Sequence, residues 1–246
     1  MPPSNWGAGI LAHMSAKREL LLPAELLNKR GIERAAHALR AGMPALQYER
    51  EKIMKQFIDS PNLLETILAG AEQNNQDARD VTADLNERQI NWKPSAEQWS
   101  IAQCLEHLAV ATRGFDKYFS AALQGAKSNS PNTHPPAYKP TRMGGWLARH
   151  VAPESPKKLR APRIFRPAEA SVIQDSLQMF LDEQQRFIDF VRQCRHVDYN
   201  KTRLRSPVTP LVRYSLADAF VITVMHGQRH LAQARRVREM PQFPRD

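Results

Sequence analysis

The chain has 246 residues, 42% of them apolar and 24% charged, with a net charge of +10. That length fits one large domain, or one domain with an appendage. No apolar run approaches the roughly 18 residues that span a bilayer. The N-terminus lacks the apolar centre of a signal peptide, so a cytoplasmic protein is expected. The two cysteines, Cys104 and Cys194, supply neither a disulfide framework nor a Cys-type zinc site. They read as reduced thiols in a core.

The charge is uneven. Residues 127–166 hold nine basic side chains and one acidic, so this segment alone carries +8. A basic loop attracts anions, but no nucleic-acid recognition motif accompanies it. The reading is a solvated connection outside regular structure, with weak, salt-sensitive attraction to polyanions.

Residues 1–53 differ from the rest of the chain. Pro2, Pro3, Gly7 and Gly9 oppose structure at the start. Ala24–Leu39 reads as a short amphipathic helix that Gly31 weakens, and Tyr48–Phe57 as another. The segment carries no motif, so it is expected to be an N-terminal extension, partly disordered. The main domain is expected over 54–244.

Four stronger helical patterns occupy that domain. The first covers about 61–85, with Leu64, Ile67, Leu68, Ala71, Ala78, Val81 and Leu85 near a period of 3.6; Ser60 is its expected cap. The second covers about 101–124. Ser100 and Gln103 form a capping box in front of it, and Ile101, Cys104, Leu105, Leu108, Ala111, Thr112, Phe115 and Phe119 form its inward stripe. The third runs about 168–193, from Pro167. The fourth runs about 216–238, with Ser215 and Asp218 as an S-x-x-D cap. No window shows strand alternation with hairpin turns.

Four helices of this length predict an all-α fold, a four-helix bundle. The connection over 125–167 holds eight of the 18 prolines and is too long for a tight antiparallel turn. A long crossover between helices two and three permits them to run parallel, in an up-down-down-up order.

His226 and His230 are four residues apart in M-H-G-Q-R-H-L. On a helix both imidazoles share one face, one turn apart, and can converge on an ion. Spacing alone leaves a second reading, two neighbouring surface histidines. The zinc-protease motif requires Glu after the first His; Gly227 stands there instead. Gly227 costs about 1 kcal/mol relative to Ala inside a helix, and either admits a close neighbour or simply weakens the helix. His107, in Q-C-L-E-H-L, borders the apolar stripe of helix two. It reads as a ligand or as a core histidine bonded to a carbonyl. Position gives no role to His13, His37, His134, His150 or His196.

The segment W-K-P-S-A-E-Q-W-S-I-A-Q-C-L-E-H-L, Trp92–Leu108, resembles the entry to the second helix of DinB/YfiT-like proteins. H-G-Q-R-H-L-A-Q, His226–Gln233, resembles their last helix. A-P-R-I-F-R-P at 161–167 and the ending near Phe243 agree. The resemblance covers about 54–244. It implies a four-helix bundle with one divalent ion, Zn²⁺, Ni²⁺ or Fe²⁺, held near one end by His107, His226 and His230. An open coordination position would acidify a thiol or a water. The implied activity is thiol S-transfer or hydrolysis, since the family includes thiol S-transferases and a thiol-dependent isomerase. The implied partners are a small-molecule substrate, a low-molecular-weight thiol and a second copy of the chain; neither a membrane nor a specific nucleic acid is expected. The alternatives are a non-catalytic or stress-related metal-binding bundle and a basic interaction module. Gln233 is a candidate to orient His230, Arg229 to meet an anion or make a salt bridge, and Trp92 and Trp99 to pack.

Overall fold

The computed structural model describes residues 45–126, 137–153, 155, 161–167, 174–209 and 211–245, with side chains from residue 51 onward. The compact unit that contains the bundle spans Glu49–Asp246. The expectations for residues 1–44, including the Ala24–Leu39 helix, lie outside the described residues. The first helix described, α1 (Ala45–Ile58), runs through position 53 and buries Met54 and Phe57.

The first bundle helix, α2, spans Leu63–Thr82. Asn62 caps it, its Oδ1 accepting from Glu65 N at 3.4 Å. Ser60 is not the cap; its hydroxyl accepts from Asn62 N and pairs with the Thr66 hydroxyl, so the helix starts two residues later than 61. A single turn, α3 (Glu87–Ile90), comes next.

Both capping boxes form as the sequence predicts. Ser100 and Gln103 exchange bonds of 3.1 and 3.2 Å at the start of α4 (Ile101–Arg113). The expected second helix then breaks at Gly114 and resumes as α5 (Asp116–Ala126). Just past the break, Phe115 and Phe119 stack at 5.2 Å.

The basic connection is not all loop. Arg142–Val151 forms α6, capped by Thr141, which corrects the expectation of an unstructured segment. Its stripe of Gly144, Gly145 and Ala148 is buried, and small residues let it lie close to its neighbours. A 3₁₀ turn lies at Arg163–Phe165. The third bundle helix, α7, spans Ser176–Gln193; the expected beginning at 168 lies outside the described residues. Asp175 before it has φ of 52°, a left-handed value that cannot continue a helix.

A hairpin of two three-residue strands precedes the last helix, a feature that sequence alternation misses. β1 (Arg203–Arg205) pairs antiparallel with β2 (Arg213–Ser215). Each strand is too short for a period of two to register.

The last helix, α8 (Leu216–Arg238), is the axis of the fold. Leu216–Met225 is buried on every side, as expected of a helix surrounded by others. Along α2 and α8 the contacts advance together: Gly70 meets Val224, Asn74 donates to Val224 O at 3.1 Å, and Arg238 donates to Asp80 O at 2.7 Å. These two helices therefore run parallel. The same holds for α4–α5 and α7, where Arg113 pairs with Glu183 at 2.7 Å and Phe119 stacks on Phe190 at 4.6 Å. Helices two and three of the expected bundle are thus parallel neighbours, as a long crossover allows. The core forms two clusters, one around Phe187 and Phe220 and one around Leu105 and Leu231.

Two substitutions test this packing. A Cβ at Gly227 would overlap the amide of Asn74, so Gly227→Ala should lower stability by about 1–3 kcal/mol despite its gain in helix propensity. Denaturant unfolding of Gly227→Ala, Asn74→Ala and the double variant measures the coupling. Asp218, fully buried, accepts from Ser215 N, Tyr138 OH, Thr141 N and Thr141 Oγ1 at 2.7–3.2 Å. Asp218→Ala leaves these donors buried and should cost about 3 kcal/mol or more, read by the same method.

Candidate metal centre

His226 and His230 point from one face of α8, their ring centroids 4.7 Å apart. α4 brings His107 against both, at 5.0 and 4.6 Å between centroids. The ligand atoms of the three lie within 4.8 Å of one another. His107 Nε2 and His226 Nε2 are 3.2 Å apart. Two nitrogens on a tetrahedral ion at 2.0–2.1 Å stand about 3.3 Å apart, so the pair already matches shared ligation. This is the only such group of histidine, cysteine or acidic side chains among the described residues. It lies at mid-length of α8.

The ring orientations follow from their other nitrogens. His107 Nδ1 stands 2.6 Å from the carbonyl oxygen of Phe165. A carbonyl only accepts, so Nδ1 carries the proton and Nε2 presents its lone pair. His230 Nδ1 stands 3.0 Å from Gln233 Oε1; with the amide oxygen as acceptor, Nε2 of His230 is freed in the same way. The two readings of His107, carbonyl-bonded core histidine and ligand, are therefore compatible. Gln233 takes the orienting position that its spacing suggests. Trp99 covers the site, its ring centroid 4.8 Å from His107 and 5.5 Å from His230. Trp92 packs edge-on against Phe243.

Electrostatics keep the imidazoles neutral. Burial pushes the pKa of His107 down, against the raising effect of its bond to Phe165. Burial first, then His230, His107 and Arg229, hold His226 well below the ordinary value. Burial and His107 push His230 down to about 3. Neutral imidazole is the form that ligates metal. Cys104, by contrast, is fully buried in the core and its thiol is pushed up to about 12, chiefly by burial. It is no thiolate ligand.

The site opens into a cleft of about 1030 Å³ bounded by α4, α6, α8, the Arg163–Phe165 turn and the hairpin. Trp99, Phe115, Trp146 and Ile222 supply apolar wall; among the described residues, Arg166, Arg229 and Arg236 supply positive charge against a single carboxylate, Glu97. Arg229 donates to the carbonyl of Ala152 at 2.8 Å, clasping the end of α6. His150, given no role by its position in the sequence, lines this cleft, with Nδ1 2.7 Å from Trp146 O. Neither α6 nor the Phe165 carbonyl is signalled by periodicity. His196 is exposed in a turn, and His13, His37 and His134 lie outside the described residues.

The DinB superfamily family model matches residues 71–234, a span that includes all three histidines and both capping boxes. The chain belongs to the DinB superfamily. Among solved structures, this DinB protein is similar to YfiT from Bacillus subtilis, described as "a probable metal-dependent hydrolase with an unusual four-helix bundle topology". The likeness covers 73% of this chain and 87% of that one, at 14% identity and a TM-score of 0.46. No curated protein matches. No helix among the described residues of this DinB protein is long and apolar enough to cross a membrane.

The depressed imidazole pKa values set the acid behaviour of the metal-free protein. The unfolded chain, with histidines near 6.5, binds more protons than the folded one, so stability falls as pH drops below about 6.5. Urea unfolding with a chelator present should show this loss between about pH 6.5 and 5, above the carboxylate range. The loss should shrink in the His226→Gln/His230→Gln variant; an equal loss in that variant would assign it elsewhere.

Proposed function

We propose that the protein is a metal-dependent enzyme in which His107, His226 and His230 hold one divalent ion, Zn²⁺, Ni²⁺ or Fe²⁺. Its reaction is hydrolysis, or transfer of a low-molecular-weight thiol, on a small molecule. The observation that carries this reading is the convergence of three neutral imidazoles, His107 buried and His226 and His230 half-buried, two with Nδ1 tied back so that Nε2 faces its partners. Imidazole suits all three ions.

Bound there, such an ion would supply Lewis acidity towards a water or thiol. The chain's own residues do the rest. Phe165 O and Gln233 fix the rings; Trp99 shields one side of the set from water. The cleft accommodates a drug-sized molecule. Its aromatic and aliphatic wall suits an apolar body, and Arg166 and Arg236 suit an anionic group. A structural metal site normally has four protein ligands, and a structural site needs no cleft, which favours catalysis over a purely structural or sensing role. The basic-module reading loses support because α6, within the basic segment, packs on α8, and Arg149 is engaged with Gly145 O and Glu51.

Elemental analysis of the full chain, purified without a histidine tag, tests the reading. We expect about one ion per chain in the parent and in His196→Ala, and most of it lost in His230→Ala with helical circular dichroism retained. Metal content unchanged in His230→Ala would sink the assignment. Turnover of electrophiles with and without added thiols then separates transfer from hydrolysis.

A further inference from the structure

His107 and Gly114 lie seven residues apart on α4 and its cap. Two helical turns bring them to nearly the same face. The Arg163–Phe165 turn touches both. Its last carbonyl, Phe165 O, meets His107 Nδ1 at 2.6 Å. The ring of the same residue fills the space above Gly114, where a Cβ would stand 2.6 Å from Cε1 and 3.0 Å from Cζ of Phe165. One residue of the crossover therefore reads two points on the helix, with its backbone at the histidine and its side chain at the glycine.

This double contact is stiff. The turn closes on itself through Phe165 N to Pro162 O at 2.9 Å and Arg166 Nε to Ala161 O at 3.1 Å. Phe165 is 8% exposed. Pressure on this packed ring at Gly114 is passed in part to the short turn whose backbone carries the carbonyl. The 2.6 Å separation at His107 leaves little slack, because hydrogen bonds weaken steeply with distance and angle. A displaced carbonyl would release the proton from Nδ1 to either ring nitrogen and let the imidazole rotate.

We propose that Gly114 and Phe165 are positioning residues. The glycine seats the Phe165 ring, and the seated ring holds the carbonyl that fixes the tautomer and orientation of His107. Glycine serves here by absence of a side chain: Gly114 has φ −58° and ψ −20°, a backbone that alanine adopts freely. The inference rests on the metal-centre reading for its consequence, but the tautomer itself is a property of the metal-free protein.

The test uses Gly114→Ala, Phe165→Leu and the double variant, with Gly125→Ala as control, since a Cβ at Gly125 meets nothing within 4 Å. Nitrogen–proton correlation spectra of the metal-free full chain should show one His107 tautomer, protonated at Nδ1, in the parent and the control. Gly114→Ala should show mixed tautomers. Zinc affinity, by competition with a chromophoric chelator, should fall roughly 10- to 100-fold in Gly114→Ala, the range typical of lost orienting partners. Leucine lacks the Cε1 and Cζ atoms that clash, so Phe165→Leu in the Gly114→Ala background should recover part of both. If Gly114→Ala misfolds, Phe165→Leu alone decides: it removes the ring atoms seated at Gly114 and should also mix the tautomers. A single Nδ1–H tautomer with parental zinc affinity in folded Gly114→Ala, or a single tautomer in Phe165→Leu where Gly114→Ala misfolds, would overturn the proposal. A parent that binds no zinc would overturn the metal reading, and the tautomer spectra would still decide this one.

Discussion

Asp218 sits where two helices begin. It is the third residue of α8, and its carboxylate accepts from Ser215 N in the capping box of that helix. The same carboxylate accepts from Thr141 N and Oγ1, and Thr141 caps α6. A buried carboxylate is costly unless its oxygens are fully bonded, and a helix N-terminus favours negative charge. Both conditions are met at one point. Burial first, and then the charge of Asp218, push the Tyr138 phenol up, so it stays a donor to the cluster. The approach is closed by Gly144, where any Cβ would overlap the Asp218 carboxylate. Through these contacts the wall of the cleft is referenced to the helix that carries His226 and His230.

The three-histidine cluster depends on a different balance. Three imidazoles at contact distance would repel if charged, and burial alone disfavours their charged forms. Neutral, they are polar groups set between two apolar clusters, and each needs a partner. The partners come from different chain distances: Gln233 is three residues from His230, while Phe165 is 58 from His107. The first constraint is written into a helix and the second into a crossover.

That difference explains what the sequence reveals. The capping residues at 100, 103, 215 and 218 act within one turn, so their pattern is local and readable. The His226/His230 spacing and the stripe around Cys104 and Leu108 are equally local. Gly227 reads as an anomaly, and Asn74 is the close neighbour that accounts for it. The break at Gly114, by contrast, has ordinary helical dihedrals, and the ring packed over it comes from residue 165, far along the chain. The start of α7 turns on Asp175, whose positive φ no periodicity announces. α6 is hidden because Arg142–Val151 lies in a basic, proline-rich stretch whose composition resembles a loop. Only its packing against α8 shows what the Gly144, Gly145 and Ala148 stripe is for.

The attachment of α6 has a consequence for how such a protein can diversify. Its first turn is fixed to Asp218, and the carbonyl of Ala152, just past its end, is clasped by Arg229. Both anchors belong to α8, and they bracket His226. The backbone of this wall and the backbone beneath two histidines therefore form one rigid frame. Cleft width cannot be retuned by sliding α6 without disturbing the histidines. The lining can change most freely in what projects from the frame, Met143 and Trp146 on one side, and the hairpin loop that carries Val208 on the other. One wall of the cleft is thus tied to α8 at both ends, and the side chains that project from it are not.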